Sequence, residues 1–352
     1  MQKERDKADS YRKAAYEGDA KAMNNLGVCY HSGSGVKENH EIAFEWYMKA
    51  ALADDVYGCY NVGECYFKGD GVGMNRKIDN RPMKRFIILA LSFVLTLGAW
   101  AQSYKQVNDI SYTTKADAYA QQRLKLDVYY PEGVSDVPVV VWFHGGGLEQ
   151  GEKEIPQKLR EKGMVVVGAN YRLLPNVTVK ETLDDAAEAV AWVFKNIEKY
   201  GGDKKKVVVT GHSAGGYLAM LLCLNKAWLQ AYDIDADSVW LYAPFSGQAI
   251  THYNVRKMQG ISPLQPTIDE YAPLYWVRSD CPPLVLICGD RELELYGRYD
   301  ENQYLARMMK LVGHQQTYLY ELDGHGHGAM VEPGFHILET HIRQLLGKKV
   351  NP

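Results

Sequence analysis

Nothing in this 352-residue chain gives it a basic field. Forty lysines and arginines stand against 43 aspartates and glutamates, for a formal net charge of −3. Charge-driven binding to nucleic acid or to an anionic membrane is thereby excluded. Cysteine is scarce too: the six residues (Cys29, Cys59, Cys65, Cys223, Cys281 and Cys288) include no Cys-x-x-Cys pair. A disulfide scaffold and a cysteine zinc site are therefore not expected. With 13 prolines and 32 glycines the chain has neither low-complexity nor collagen-like character. It also lacks an apolar run of the ~20 residues that a transmembrane helix comfortably needs. What is present is ordinary globular composition, 46% hydrophobic and 24% charged, at a length suggesting about two to three domains.

The first 75 residues repeat at an offset of 36, which sets Tyr11-Arg12-Lys13-Ala14-Ala15 above Tyr47-Met48-Lys49-Ala50-Ala51. The same shift carries Asp19 onto Asp55, Asn25 onto Asn61, Gly27 onto Gly63, Tyr30 onto Tyr66, and Gly33, Gly35 and Val36 onto Gly69, Gly71 and Val72. A fixed period of this length means stacked helix pairs separated by glycine turns. Leu26-Gly27, Tyr30, Gly33-x-Gly35-Val36, Ala43, Trp46 and Lys49-Ala50-Ala51 resemble the Sel-one-like repeat, a relative of the tetratricopeptide repeat. That resemblance implies a protein partner for residues 1–75. However, about three repeats are needed for a continuous core, and after Val72 the pattern stops. A partner-binding surface and the remnant of a longer array are both consistent with it.

Met83-Lys84-Arg85 opens a second pattern, followed by an apolar run over 86–97 and by Gly98-Ala99-Trp100-Ala101 before Gln102. A basic start, a short apolar stretch and an A-x-A ending make residues 83–101 an internal signal peptide or signal anchor. On one reading translation starts at Met83, with the repeats joined by a fusion or a misread gene start, and the signal is cleaved before Gln102. Without cleavage, 86–101 would hold the chain in a membrane, and Arg76, Lys77, Arg81, Lys84 and Arg85 would keep the repeats in the cytoplasm. Either way residues 102–352 are expected outside the cytoplasm, secreted or periplasmic.

Residues 102–352 suffice for one α/β domain with a large core. Short apolar or β-rich runs predict strands at 124–130, 139–143, 164–168, 207–210, 239–242, 284–288 and 317–322. Between some of them lie helical spacings such as Leu183, Ala186, Val190, Val193 and Ile197. The alternation predicts a mostly parallel sheet with helices on both faces. Residues 247–277, with Tyr253, Tyr271, Tyr275 and Trp276, fall between two strands as a cap. Their aromatics either receive substrate or pack the cap's underside.

Gly211-His212-Ser213-Ala214-Gly215-Gly216 follows a strand and opens the apolar helix beginning at Tyr217. This is the context of a nucleophile elbow, in which a side chain on the neighbouring glycines would collide with strand and helix. Upstream, Val139-Val140-Val141-Trp142-Phe143 runs into His144-Gly145-Gly146-Gly147. Backbone N–H groups near Gly146 and Gly147, with that of Ala214, would form an oxyanion hole, and His144 would brace the loop. A triad also needs an acid and then a histidine. The strand at 284–288 ends in Gly289-Asp290-Arg291-Glu292. Counting three residues past the glycine selects Glu292, with Asp290 as the alternative. In Asp323-Gly324-His325-Gly326-His327-Gly328-Ala329-Met330, His327 is selected over His325. A metal held by His325, His327 and Asp290 is disfavoured, because no third histidine or cysteine is placed to help.

His-Gly-Gly-Gly, Asn170-Tyr171-Arg172-Leu173, Gly-His-Ser-Ala-Gly-Gly and the terminal histidine resemble the α/β-hydrolase carboxylesterases over about residues 115–350. The nearest branch holds feruloyl and acetyl esterases and kynurenine-formamidase-like enzymes. Gly-His-Ser stands where hormone-sensitive-lipase relatives have Gly-Asp-Ser. The resemblance implies acyl transfer through Ser213 without any cofactor, on a small-molecule or polysaccharide-linked ester. Its rivals are amide hydrolysis by the same triad, and a repeat scaffold carrying a passenger hydrolase.

Overall fold

The computed structural model describes residues 2–53, 55–68, 70 and 102–347, which fall into two compact units. The export segment expected at 83–101 lies outside the described residues. Among the described residues no helix is long and apolar enough to cross a membrane.

The first unit is built from α1 (Gln2–Tyr16), α2 (Ala20–Ser32), α3 (His40–Leu52) and α4 (Val56–Lys68), each packed on the next. The 36-residue period has a visible cause at the helix starts. The Asp19 carboxylate accepts the N–H of Ala22 at 2.9 Å, and Asp55, its repeat equivalent, accepts that of Gly58 at 2.7 Å. Such caps satisfy donors that the first helical turn leaves open. Adjacent residues of α3 serve two small cores: Trp46 packs with Ala15, Ala22 and Leu26, and Tyr47 with Ala43, Ala51 and Val62. A methyl on Gly27 would lie 2.6 Å from the Tyr47 ring, so that glycine is required by close packing. Among the described residues nothing lies within 4 Å of a methyl built on its equivalent, Gly63.

The second unit is an eight-stranded sheet in the order β1-β2-β4-β3-β5-β6-β7-β8. The strands are β1 (Tyr104–Ser111), β2 (Lys125–Pro131), β3 (Val137–Phe143), β4 (Val165–Ala169), β5 (Gly202–His212), β6 (Leu241–Phe245), β7 (Leu284–Gly289) and β8 (Thr317–Leu322). From β4 to β8 the pairings are parallel, while β1 with β2 and β2 with β4 run antiparallel. The central strands β3, β4, β6 and β7 are buried almost throughout, as strands covered on both faces must be. Beyond α5 (Ala118–Arg123), the helices that matter for the site are α6 (Val179–Asn196), α7 (Ala214–Leu224), α8 (Tyr253–Met258), α9 (Arg298–Leu311) and α10 (Val331–Leu345). Residues of α6, α7 and α9 share one core with one face of the sheet, and α10 packs into a second core on the other.

Strand β1 escaped the sequence reading. Its residues are mostly exposed, it carries no apolar alternation, and among the described residues it pairs on one side only. A register irregularity between Val107 and Ile110 bulges it, with Asp109 at φ 57° and Lys153 Nζ 2.9 Å from the Asp109 carboxylate.

A buried ion cluster ties this unit together. Arg172 donates to Asp185 through Nε at 2.8 Å and Nη2 at 2.9 Å, while Lys115 reaches Asp185 and Glu188 at 3.0 and 2.6 Å. That pairing places the Asn170-Tyr171-Arg172 segment beside the end of β3.

Candidate active site

Ser213 stands between β5 and α7 at φ 56°, ψ −110°, a left-handed conformation that costs free energy for any residue with a side chain. Its neighbours make the turn sterically possible. A methyl on Gly211 would lie 2.5 Å from the Phe143 carbonyl oxygen, and one on Gly215 only 2.0 Å from it. The Ser213 N–H donates to the Phe245 carbonyl at 2.8 Å, which fixes the elbow to β6.

Three side chains converge there. His327 Nε2 lies 2.9 Å from Ser213 Oγ, and His327 Nδ1 lies 2.7 Å from Glu294 Oε2. The expected acids do not reach the histidine. Asp290 instead accepts the N–H groups of Glu292 and Gly324 at 2.8 Å each, so its carboxylate braces the loop. Glu292 is exposed and contributes that N–H to the brace. The correction to Glu294 has a local reason. The chain turns tightly after Gly289, with the Asp290 carbonyl accepting from both Leu293 and Glu294, so the residue five beyond the glycine is the one swung back. A methyl on Gly289 would meet Glu294 Oε1 at 2.9 Å and the His325 carbonyl oxygen at 2.4 Å. That glycine beside a second glutamate was the sequence signal available. His325 itself is directed elsewhere, its Nδ1 lying 2.8 Å from the Asp323 carbonyl oxygen. The metal set of His325, His327 and Asp290 is accordingly not assembled.

Glu294 is fully buried as a side chain, and burial opposes its charge. Hydrogen bonds from His327, Ser246 and the Gly289 N–H outweigh that penalty and hold its pKa down at about 2. Ser246 is a residue that the sequence did not single out. It lies at φ 48° just past β6, and its hydroxyl donates to Glu294 Oε1 with His327 Nδ1 3.1 Å away. Its own carbonyl accepts from the guanidinium of Arg298, which is wholly buried at the start of α9.

The glycine loop after β3 is held from two sides. The His144 ring stacks on Tyr171 with centroids 4.3 Å apart, and the Tyr171 hydroxyl donates to the His144 carbonyl at 2.8 Å. Burial pushes the His144 pKa down to about 4, so a neutral ring braces the loop. From the cap, Asn254 Nδ2 donates to the Gly147 carbonyl at 2.7 Å. Gly146 and Gly147 adopt φ 108° and 65°, which require glycine, and Ala214 heads α7. The N–H groups of a helix's first turn have no intrahelical acceptor.

The cap aromatics divide by position. A methyl on Gly147 would lie 2.5 Å from the Tyr253 hydroxyl, so Tyr253 borders the loop, with the Tyr296 ring 5.5 Å from its own. Tyr271 and Trp276 pack the cap's underside, where the Tyr271 carbonyl accepts the Tyr217 hydroxyl and the Trp276 ring donates to the Glu270 carbonyl. Tyr275 is exposed.

A serine on a strained strand-to-helix turn, answered by a histidine and a buried carboxylate at the ends of later strands, is the site plan of the α/β-hydrolase fold. Residues 126–254 match the BD-FAE family, and residues 20–55 and 56–77 match the Sel1 repeat. Among curated proteins, a probable isoprenylcysteine alpha-carbonyl methylesterase of Oryza sativa subsp. japonica is 30% identical over 172 residues, covering 47% of this chain and 40% of that protein. Esterase LipC of Mycobacterium tuberculosis is 28% identical over 210 residues, covering 54% and 51%. The chain thus spans about half or less of these relatives' length. Among solved structures, a truncated carbohydrate esterase from gut microbiota superposes with a TM-score of 0.59 at 16% identity, over 70% of this chain and 98% of that one. Esterase B from Lactobacillus rhamnosis gives 0.56 at 20% identity, over 75% and 94%. These two likenesses speak for the fold.

Proposed function

We propose that the chain is a serine carboxylesterase that cleaves short-chain or carbohydrate-linked acyl esters through an acyl-enzyme. The hydrogen-bonded line from Ser213 through His327 to Glu294 carries the reading. In the first half-reaction His327 Nε2 takes the Ser213 proton as Oγ attacks the ester carbonyl. The N–H groups near Gly146, Gly147 and Ala214 receive the oxyanion, and His327 then protonates the departing alcohol. In the second, water attacks the acyl group with His327 again as base, which releases the acid and restores Ser213. Glu294 holds the imidazole in one tautomer and stabilises it while it is charged. These steps require no cofactor. The signal-like pattern at 83–101 supports a site of action outside the cytoplasm, and the repeats support a protein partner for residues 1–75.

The test is hydrolysis of p-nitrophenyl esters from acetate to octanoate by the full chain and by Ser213→Ala. Activity that falls with acyl length and disappears with Ser213 supports the proposal. Equal turnover by both proteins, or faster cleavage of an anilide than of the matching ester, overturns it.

A further inference from the structure

Among the described residues one group of three metal-ligating side chains brings its ligand atoms within 4.8 Å of one another, and it lies in the repeats. His31 sits in the last turn of α2, His40 is the first residue of α3, and Asp70 lies two residues past the end of α4. His31 Nε2 is 3.2 Å from Asp70 Oδ2, His40 Nδ1 is 2.5 Å from Asp70 Oδ1, and the two imidazole centroids are 4.7 Å apart. We propose that His31, His40 and Asp70 bind one divalent transition-metal ion, of the Zn2+ or Co2+ class, which staples the shortened repeat array.

The polarity of the contact argues for a cation. His40 Nε2 is engaged by the Glu38 carboxylate at 2.7 Å. Its Nδ1, shielded from solvent, faces an oxygen of the Asp70 carboxylate at 2.5 Å, so the ring sits between two carboxylates. Two carboxylates around one imidazole call for positive charge, which a bound cation supplies in place of a ring proton. With His31 converging on the other oxygen of the same carboxylate, one divalent ion meets the demand at both contacts. A metal-ligating histidine typically gives its far N–H to a carboxylate, which fixes its tautomer. Glu38 stands in that position. Ligands at ~2.0–2.1 Å around a tetrahedral zinc are about 3.3 Å apart, close to the His31–Asp70 spacing. Two imidazoles and a carboxylate suit the borderline ions better than calcium or magnesium.

The placement gives the ion a purpose. The three ligands come from the end of α2, the start of α3 and the chain just past α4, so a single ion would cross-link both helix pairs. Stacked repeats ordinarily number about three before the core is continuous. Here the cores are small, which is where a small domain gains most from a metal clip.

The test is titration of the metal-free full chain with Zn2+ by calorimetry and with Co2+ by visible absorption. One ion per chain is expected, with the intense d–d bands of a four-coordinate Co2+ site. His31→Ala and His40→Ala should each weaken Zn2+ binding by at least about a hundredfold, and Glu38→Gln by about ten- to a hundredfold. Asp70→Asn, which preserves shape, covers the case in which a histidine variant unfolds, and its loss of binding counts in support. Zn2+ should also raise the unfolding temperature of the repeats while leaving ester hydrolysis unchanged, so this result and the esterase result are independent. Absence of binding, or wild-type affinity in Asp70→Asn and both histidine variants, overturns the proposal.

Discussion

His212 and His327 meet across the elbow: the ring Nε2–H of His212 donates to the backbone carbonyl of His327 at 2.8 Å, with the two ring centroids 4.7 Å apart. A carbonyl only accepts, so the bond fixes the His212 tautomer. Burial, reinforced by the neighbouring imidazole, pushes its pKa down to about 4 and keeps it neutral. The residue beside the nucleophile thereby anchors the loop that carries the base. His212→Ala should lower kcat by about ten- to a hundredfold with little change in KM. His212→Gln, which retains an N–H donor, should recover part of the loss. Steady-state kinetics on p-nitrophenyl acetate will decide, and a KM-only effect would contradict the assignment.

The triad acid separates cleanly by mutation. Glu294→Gln keeps the size of the side chain but no longer demands the N–H of His327, and kcat should fall by about 1,000- to 10,000-fold. Glu292→Gln should change it less than about threefold. Asp290→Asn should act through the loop, with a lower melting temperature and a modest loss of rate. Equal losses for Glu292→Gln and Glu294→Gln would return the acid to open question.

The oxyanion loop depends on contacts from the cap. Asn254→Leu removes the donor to the Gly147 carbonyl and should reduce kcat/KM by about ten- to a hundredfold without unfolding the protein. Gly147→Ala adds a methyl at φ 65° and 2.5 Å from the Tyr253 hydroxyl, and should cost more. An Asn254→Leu enzyme of undiminished rate would mean that the cap does not position the loop.

Acid should unfold the hydrolase unit in two stages. His144 and His212 have pKa values near 4 in place of the ordinary 6.5, and buried His252 is also lowered. The unfolded chain therefore takes up these protons first. The stability they contribute is complete above pH 6.5 and is lost as pH falls through 4. Glu294, lowered from 4.5 to about 2, contributes stability that is complete above pH 4.5 and is lost as pH falls through 2. Urea midpoints measured from pH 8 to 3 should decline below 6.5 and again below 4.5, with His212→Gln blunting the first decline and Glu294→Gln the second. A midpoint constant between pH 7 and 4.5 would contradict the histidine assignment.

Breaking the buried pair should be costly. Asp185→Ala leaves Arg172, whose side chain is 5% exposed, without its bidentate partner. A loss of about 3–5 kcal/mol in urea unfolding is expected. A loss below ~1 kcal/mol would show that Asp117 and Glu181, 3.5 and 3.8 Å from Arg172 Nη1, suffice to hold the guanidinium.

How far each feature depends on local chain geometry decided whether the sequence disclosed it. Ser213 and its glycines were legible because the strand-to-helix turn and its glycines are written within six consecutive residues, 211–216. The repeats were legible because their capping aspartates recur at the period of the fold. Glu294 was hidden because its position depends on the tight turn at Asp290, and counting residues from a glycine does not register a turn. Ser246, Arg298 and His212 act through backbone carbonyls or a neighbour's carboxylate, partners that no motif names. Strand β1 pairs along a single edge with polar residues, so it carries neither apolar alternation nor a buried run.

That marginal strand bears on how the protein behaves in a crowd. A sheet margin invites another chain to dock its own strand, and flat apolar margins seed fibres. Here the outermost ladder is interrupted by the bulge at Val107–Ile110, twisted by Asp109 in the left-handed region, and dressed with Lys105, Gln106 and Asn108. An incoming strand would lose register at the bulge and would have to desolvate charge along the way. The margin is thus a stop codon for sheet growth, and a protein so terminated can be concentrated without templating its own aggregation from that side.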